Sequence, residues 1–209
     1  MASLWFGGVA GRVAGMVGEP VTSVEVKAFF ERVSVDWDDM RSSFYNAGVI
    51  DALIEHAAVG SDSMVVDVGT GTGFVAAGLA PVAAAVVGVD NSPAMLAVAA
   101  DNLAALGLGN VELREGEVDA LGLLADSADA AVANMVLHHA LDPAAMLSEM
   151  ARVVRPGGMV AVTDEVQHGY EWMRTEQADV WLGFTEHEVE GFFEAARLVD
   201  FGYASLGMQ

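Results

Sequence analysis

Cysteine is absent from the 209-residue chain. That absence removes disulfides, thiolate metal sites and cysteine nucleophiles together, and it fits a cytoplasmic protein. Lysine is nearly absent too, with Lys27 the only one. Lysine and arginine number 9 against 30 aspartates and glutamates, for a formal net charge of −21. A surface this acidic repels phosphate backbones and anionic lipid, which argues against nucleic acid or a membrane as partner. The imbalance fits either a salt-adapted protein or drift in composition. Long apolar runs are also missing. The first 20 residues come nearest, but Gly7, Gly8, Gly11, Gly15 and Gly18 interrupt them and Arg12 charges them. Neither a transmembrane helix nor a signal peptide is therefore expected.

What remains is apolar enough to fold. The hydrophobic fraction is 54% and the mean hydropathy +0.41, which excludes a disordered chain and suits one domain with a real core. Residues 1–20 read as a Gly-rich arm without fixed structure. Its Leu4, Trp5 and Phe6 suit docking on the body or on a second copy of the chain, as in a homodimer. Residues 21–60 read as a helical N-terminal cap in two pieces. One carries Val26, Phe29, Phe30 and Val33 at helical spacing, the other Val49, Ile50, Leu53, Ile54 and Ala57.

From residue 61 to 209 short apolar runs alternate with helices. Strands are expected at Met64–Val68, Ala84–Val89, Val111–Arg114, Ala128–Ala133 and Met159–Thr163, with Pro156-Gly157-Gly158 as the turn into the last. Ser92-Pro93 and Asp142-Pro143 are cap-plus-proline helix starts, and Thr185 with Glu188 is a capping box. This alternation predicts an α/β fold: a Rossmann-like, doubly wound, mostly parallel sheet with helices on both faces.

The most informative stretch is Val65-Val66-Asp67-Val68-Gly69-Thr70-Gly71-Thr72-Gly73. A strand runs into a turn with three glycines and then into a helix, so a ligand can approach bare backbone and the free N–H groups of a helix start. Asp90 ends the next strand, where its carboxylate can accept from both hydroxyls of a ribose. That leaves NAD or S-adenosylmethionine. Asp67, just before the glycines, would repel a pyrophosphate in a site with little water. An ammonium and a sulfonium would be attracted instead.

With these residues in hand, the chain resembles a class I S-adenosylmethionine-dependent methyltransferase of type 11 over roughly residues 29–163. The blocks that carry the resemblance are Val65–Gly73, Val87–Leu96, Glu115–Leu121, Asn134–Pro143 and Arg152–Gly158, in the family's order. Phe29–Met40 is similar to the opening of ubiquinone and menaquinone C-methyltransferases, in which an aromatic–Asp pair, here Trp37-Asp38, closes over the cofactor. Glu171–Arg174 and Ala178–Phe184 resemble methyltransferase domains of arsenic-responsive repressors. No winged-helix repressor sequence precedes these blocks and no cysteine is present to bind a metalloid, so the second resemblance implies fold and cofactor rather than an arsenic substrate. The family also ends in two antiparallel strands after its last helix. Only one, about Val199–Ser205, fits before Gln209, so either the sheet lacks its final strand or the chain is cut short.

The resemblance implies a methyltransferase that binds S-adenosylmethionine, releases S-adenosylhomocysteine and acts on a small-molecule acceptor. Asp67 would lie near the methionine moiety, and Gly69, Gly71 and Gly73, with Thr70 between them, would make room for the cofactor. Asp90 would hold the ribose beside Asn91. Glu117 would meet the adenine amino group and Val118 its ring edge, and Asn134 would offer a carbonyl to the ammonium. Methyl transfer is an in-line displacement at an activated carbon, so the protein chiefly aligns and desolvates. Where a base is needed histidine suits it, and His138 and His168 are the candidates. His139 sits beside the first; Glu165, Gln167 and Tyr170 sit around the second. Met135, Met146, Met150 and Met159 read as core filling, and no metal-ligand spacing appears. Two other readings use the same glycines: an NAD(P)-dependent oxidoreductase, which lacks a Tyr-Lys pair here, and a non-catalytic ligand-binding module.

Overall fold

The computed structural model describes residues 2–6, 22–42 and 46–208. In chain order the elements are β1 (Ala2–Phe6), α1 (Ser23–Val33), α2 (Trp37–Arg41), α3 (Gly48–His56), β2 (Met64–Val68), α4 (Phe74–Leu79), β3 (Ala85–Asp90), α5 (Pro93–Ala105), β4 (Val111–Glu115), β5 (Ala128–Asn134), a 3-10 turn (Leu137–His139), α6 (Pro143–Val153), β6 (Val154–Glu165), α7 (Trp172–Glu176), α8 (Glu186–Ala195) and β7 (Gly202–Met208). They build one seven-stranded sheet in the order β4-β3-β2-β5-β6-β1-β7. The first five strands in that order are parallel to their neighbours, which is the Rossmann-like α/β arrangement that the alternating pattern predicts.

Strand β2 shows how the sheet is covered. Val66 and Val68 point to one face, into a core with Leu147 and Met150 of α6 and Val189 and Phe193 of α8. Val65 points to the other, with Leu53 of α3 and Val75 and Leu79 of α4. Burial on both faces explains why the parallel strands read as unbroken apolar runs. Helix starts follow their sequence signals. The Ser92 hydroxyl accepts from Met95 N at 3.3 Å, the Asp142 carboxylate from Ala145 N at 3.0 Å, and Thr185 and Glu188 close a capping box. Among the described residues no helix is long and apolar enough to cross a membrane.

The structure corrects three expectations. Residues 2–6 are not part of an unstructured arm: β1 pairs antiparallel with β6 on one side and with β7 on the other. Residues 7–20 lie outside the described residues. The sheet edge therefore does not lack its second antiparallel partner, because a strand from the N-terminal end fills the place between β6 and β7. Finally, the strand that follows Pro156-Gly157-Gly158 begins earlier than expected, although Gly157 has a positive φ of 85° and regular pairing with β5 starts at Met159 as expected. Strand β6 starts at Val154 and runs through these three residues, and its register against β5 shifts between Ala128 and Ala130. A side chain at Gly158 would meet the Asp129 carbonyl, so the tight pairing of this bulge needs glycine.

Candidate active site

Strand order reverses between β2 and β5, since the chain winds outward through β3 and β4 and then returns to the other side of β2. Ligands of open α/β sheets bind beyond the carboxyl ends of the strands at such a point. A cavity of about 370 Å³ lies here, and its walls include the turn after β2 and the tips of β3 and β5.

The glycine turn forms the floor. Gly69 and Gly71 both have positive φ, +68° and +53°. A Cβ on Gly69 would collide with Val136, whereas one on Gly71 would meet only the Trp37 indole at 3.9 Å. Gly69 is thus needed for the fold of the turn, and Gly71 leaves space for a ligand. Gly73 does not line the cavity. It caps α4, and a Cβ there would stand 3.3 Å from Ala99 of α5. The expectation that Gly73 meets the cofactor is corrected to a packing role.

Asp67 is buried beneath the turn and accepts from the Thr70 hydroxyl at 2.6 Å and Ala76 N at 3.0 Å. Burial pushes its carboxyl up to about 7, against those two hydrogen bonds and with the Asp90 charge adding to the rise. Asp90 accepts from Gly71 N and from Ser92 N, both at 2.9 Å. Burial raises its pKa as well, while the N–H groups of Ser92, Gly71 and Asn91 oppose the rise. Both acids line the same cavity, and so do Gly69, Thr70, Asn91, Glu117, Val118, Asn134 and Trp37. Asn91 donates to Glu117 at 2.8 Å, tying the tip of β3 to the loop after β4. Asn134 accepts from the Thr163 hydroxyl at 2.7 Å.

The cap helices close one side. Trp37 and Phe30 line the cavity and pack edge to face at 5.2 Å. Asp38 anchors them by accepting from the Thr72 hydroxyl at 2.8 Å and the Asn102 amide at 3.1 Å. Met135, expected in the core, lines the cavity instead and holds a positive φ of 57°. Strain of that kind, just past a strand tip, is common where a backbone is shaped for a ligand.

The histidines divide. His138 is buried and does not line the large cavity; His139 does. Both line a second, smaller cavity of about 20 Å³, which shares Trp37, Met135 and His139 with the large one and is also walled by Glu165 and Asp179. The His138 Nδ1 pairs with Asp164 at 2.7 Å. Burial lowers the His138 pKa, but Asp164, by charge and hydrogen bond, and the charges of Asp179 and Glu165 outweigh it and lift it to about 9. For His139 burial and the His138 charge win, and it titrates well below the usual range. His168 lines neither cavity. Its Nε2 bonds Glu165 at 2.7 Å and its Nδ1 accepts from Tyr170 N at 3.2 Å. Tyr170 and Trp172 are exposed.

Asp179 lies in the Ala178–Phe184 stretch that resembles the arsenic-responsive repressor domains, but its place in the site is not legible in the sequence. It is 0% exposed, neither carboxylate oxygen accepts a hydrogen bond, and burial pushes its pKa up to about 7. Nothing within forty residues of the histidine pair announces it, because only the fold carries the segment after α7 back against the 3-10 turn. Val180 N and Trp181 N donate to the His138 carbonyl at 3.0 and 2.9 Å and make that contact.

With this geometry in place, comparison with known proteins gives the kind of domain this chain resembles. Residues 66–162 match the methyltransferase domain family. Over this stretch, just under half of its length, the chain is similar to class I S-adenosylmethionine-dependent methyltransferases. This domain is 36% identical over 114 residues to an arsenite methyltransferase of Halobacterium salinarum, across 53% of this chain and 29% of that protein. It is 33% identical over 115 residues to the ubiquinone/menaquinone biosynthesis C-methyltransferase UbiE of Syntrophotalea carbinolica, across 54% of this chain and 48% of the relative. The chain thus spans less than half the length of either. The fold resembles that of YcgJ from Bacillus subtilis, with a TM-score of 0.66 and 22% identity over 72% of this chain and 68% of that one.

Proposed function

We propose that this methyltransferase domain binds S-adenosylmethionine in the large cavity and transfers its methyl group to a small-molecule acceptor. One observation carries the reading: Asp67 and Asp90 face one cavity from neighbouring strand tips across a bare glycine turn, and among the described residues no lysine or arginine lines it. A diphosphate would meet carboxylates with no counter-charge, whereas a sulfonium and an ammonium are stabilised. When bound, S-adenosylmethionine supplies the activated methyl group. The chain's own residues orient it: Asp90 takes the ribose hydroxyls, Glu117 and Val118 border the adenine, and Asn134 faces the amino acid end. Trp37 and Phe30 exclude water from the reacting side.

The acceptor enters where Trp37, Met135 and His139 border both cavities. The acidic balance supports a neutral or cationic acceptor in the cytoplasm over nucleic acid or lipid. Calorimetric titration with S-adenosylhomocysteine and with NAD⁺ tests the reading. Binding of the first at micromolar Kd and none of the second is expected. The reverse would mean an oxidoreductase, and binding of neither would leave a module without this cofactor.

A further inference from the structure

The small cavity contains a group that methyl transfer does not account for. Asp179 is fully buried, with two carboxylate oxygens that accept no hydrogen bond. Leaving such a group unmatched is costly, and native proteins seldom do so without a ligand or ion. The charges of His138 and, more weakly, Arg174 act on Asp179, but Arg174 directs its Nη1 to the Val180 carbonyl and its Nε to Glu171. The group opposite Asp179 is His138, whose Nε2 stands 3.8 Å from the Asp179 oxygen, too far for a hydrogen bond.

The two histidines are held in the way metal-binding histidines are held. His138 turns its Nδ1 to the Asp164 carboxylate at 2.7 Å, and His139 turns its Nδ1 to the Ala178 carbonyl at 3.2 Å. A carboxylate or backbone carbonyl behind Nδ1 fixes the tautomer and leaves Nε2 as the coordinating atom. One ligand atom from each of His138, His139 and Asp179 lies within 4.8 Å of the others. Two ligands on one zinc, each at about 2.0–2.1 Å, are roughly 3.3–3.5 Å apart, so the 3.8 Å between His138 and Asp179 needs only a small closing movement. The cavity volume of about 20 Å³ suits one ion or one water, not an organic substrate.

We propose that His138, His139 and Asp179 form a binding site for a divalent transition-metal ion such as zinc. A second cluster, Glu165, His168 and Asp179, is a weaker candidate. There His168 has committed both ring nitrogens, one to Glu165 and one to the Tyr170 N–H. Three protein ligands leave a fourth position open, as in catalytic zinc sites. Trp37, Met135 and His139 border both cavities, so that open position lies beside the acceptor side of the methyl-donor site. The ion would there bind an oxygen or nitrogen of the acceptor. This last role rests on the proposed methyl transfer; the metal site itself does not.

The test uses the whole chain, stripped with chelator and dialysed against Zn²⁺ or Co²⁺, with bound metal counted and the visible d–d absorption of Co²⁺ recorded. About one ion per chain is expected, with the intense spectrum of a four-coordinate site. Asp179→Asn and His139→Gln should each weaken binding by about tenfold or more and erase that spectrum, and Asp164→Asn, which acts through His138, should weaken it by about 10- to 100-fold. His187→Gln, on an exposed histidine, should change nothing. Far-UV circular dichroism and the cooperativity of chemical denaturation report whether each variant is folded. If one fails to fold, the other two carry the result. No binding tighter than about 1 mM by the parent protein overturns the site, and so does a Co²⁺ spectrum undiminished in the folded variants. Both readouts omit the methyl donor and acceptor, so failure of methyl transfer and failure of the metal site are separate results.

Discussion

The two cavities handle buried acid in opposite ways. Around the large one every carboxylate at the strand tips has donors: Thr70 and Ala76 for Asp67, Gly71 and Ser92 for Asp90, Asn91 for Glu117. These bonds come mostly from residues within ten positions along the chain, so the donor side is built largely from local turns. Around the small cavity Glu165 bonds His168 three residues on, but the histidine pair is held from far along the chain. Asp164 reaches back to His138 across 26 residues, and Asp179 has no donor at all. The contrast separates a site pre-formed by its own backbone from one whose charge is left for a ligand to match.

The largest expected effect tests whether the hydrogen bonds of the donor side really offset its burial. Asp67 is protonated up to about pH 7 in the folded chain but only to about 4 when unfolded. Below pH 4 both states hold the proton and the group contributes nothing. Between 4 and 7 the folded state holds more protons, so stability falls as pH rises, and above 7 the loss levels off. The cost is roughly 4 kcal/mol. Asn at this position can still accept from Thr70 and Ala76 but cannot ionise. In chemical denaturation, Asp67→Asn should therefore gain stability over the parent as pH rises from 4 to 8, while binding S-adenosylmethionine more weakly at pH 8. A difference between the two proteins that is flat in pH would mean that Asp67 stays ionised and that its bonds outweigh burial.

The next effect concerns the ribose contact. Asp90→Ala removes the acceptor for two hydroxyls and the partner of Gly71 N. Affinity for S-adenosylhomocysteine should fall by about 1–3 kcal/mol, or about 5- to 150-fold in Kd. The metal site should remain intact in the same variant, because the hydrogen bonds of Asp90 come from Gly71 and Ser92, neither of which lines the small cavity. Loss of both would show that the two cavities are one coupled unit. Unchanged cofactor affinity would remove Asp90 from the site.

The difference between the cavities also explains what could be read from the chain. Asp67, the glycines and Asp90 announce themselves because strand, turn and helix are consecutive and the distance from Gly71 to Asp90 is set by one βα unit. Ser92, Asp142 and Thr185 cap where their sequence context says they should, for the same local reason. Asp179 and the metal-type posture of His138 and His139 depend on a loop folding back against a 3-10 turn, which no spacing encodes. His168 follows a strand at the sheet's carboxyl edge, which suggests a substrate-facing role, but the Tyr170 N–H occupies the nitrogen that Glu165 leaves. Strand β1 was hidden by the glycines that follow it; its pairing is set by the gap between β6 and β7 rather than by its own five residues.

The smallest expected effect lies at the junction. Asp38 holds α2 to the glycine turn through Thr72 and to α5 through Asn102, and α2 carries Trp37, which borders both cavities. Asp38→Ala should cost about 1 kcal/mol of stability, since these partly exposed bonds compete with water. Its clearer signature is kinetic. A loosened Trp37 lets the product leave sooner, so S-adenosylhomocysteine release, followed by stopped-flow displacement, should speed up by about fivefold or less with little change in association rate. An equal change in both rates would mean that α2 gates entry as well as exit. No change in either would mean that Trp37 is held by its packing against Phe30, and that the latch serves the fold alone.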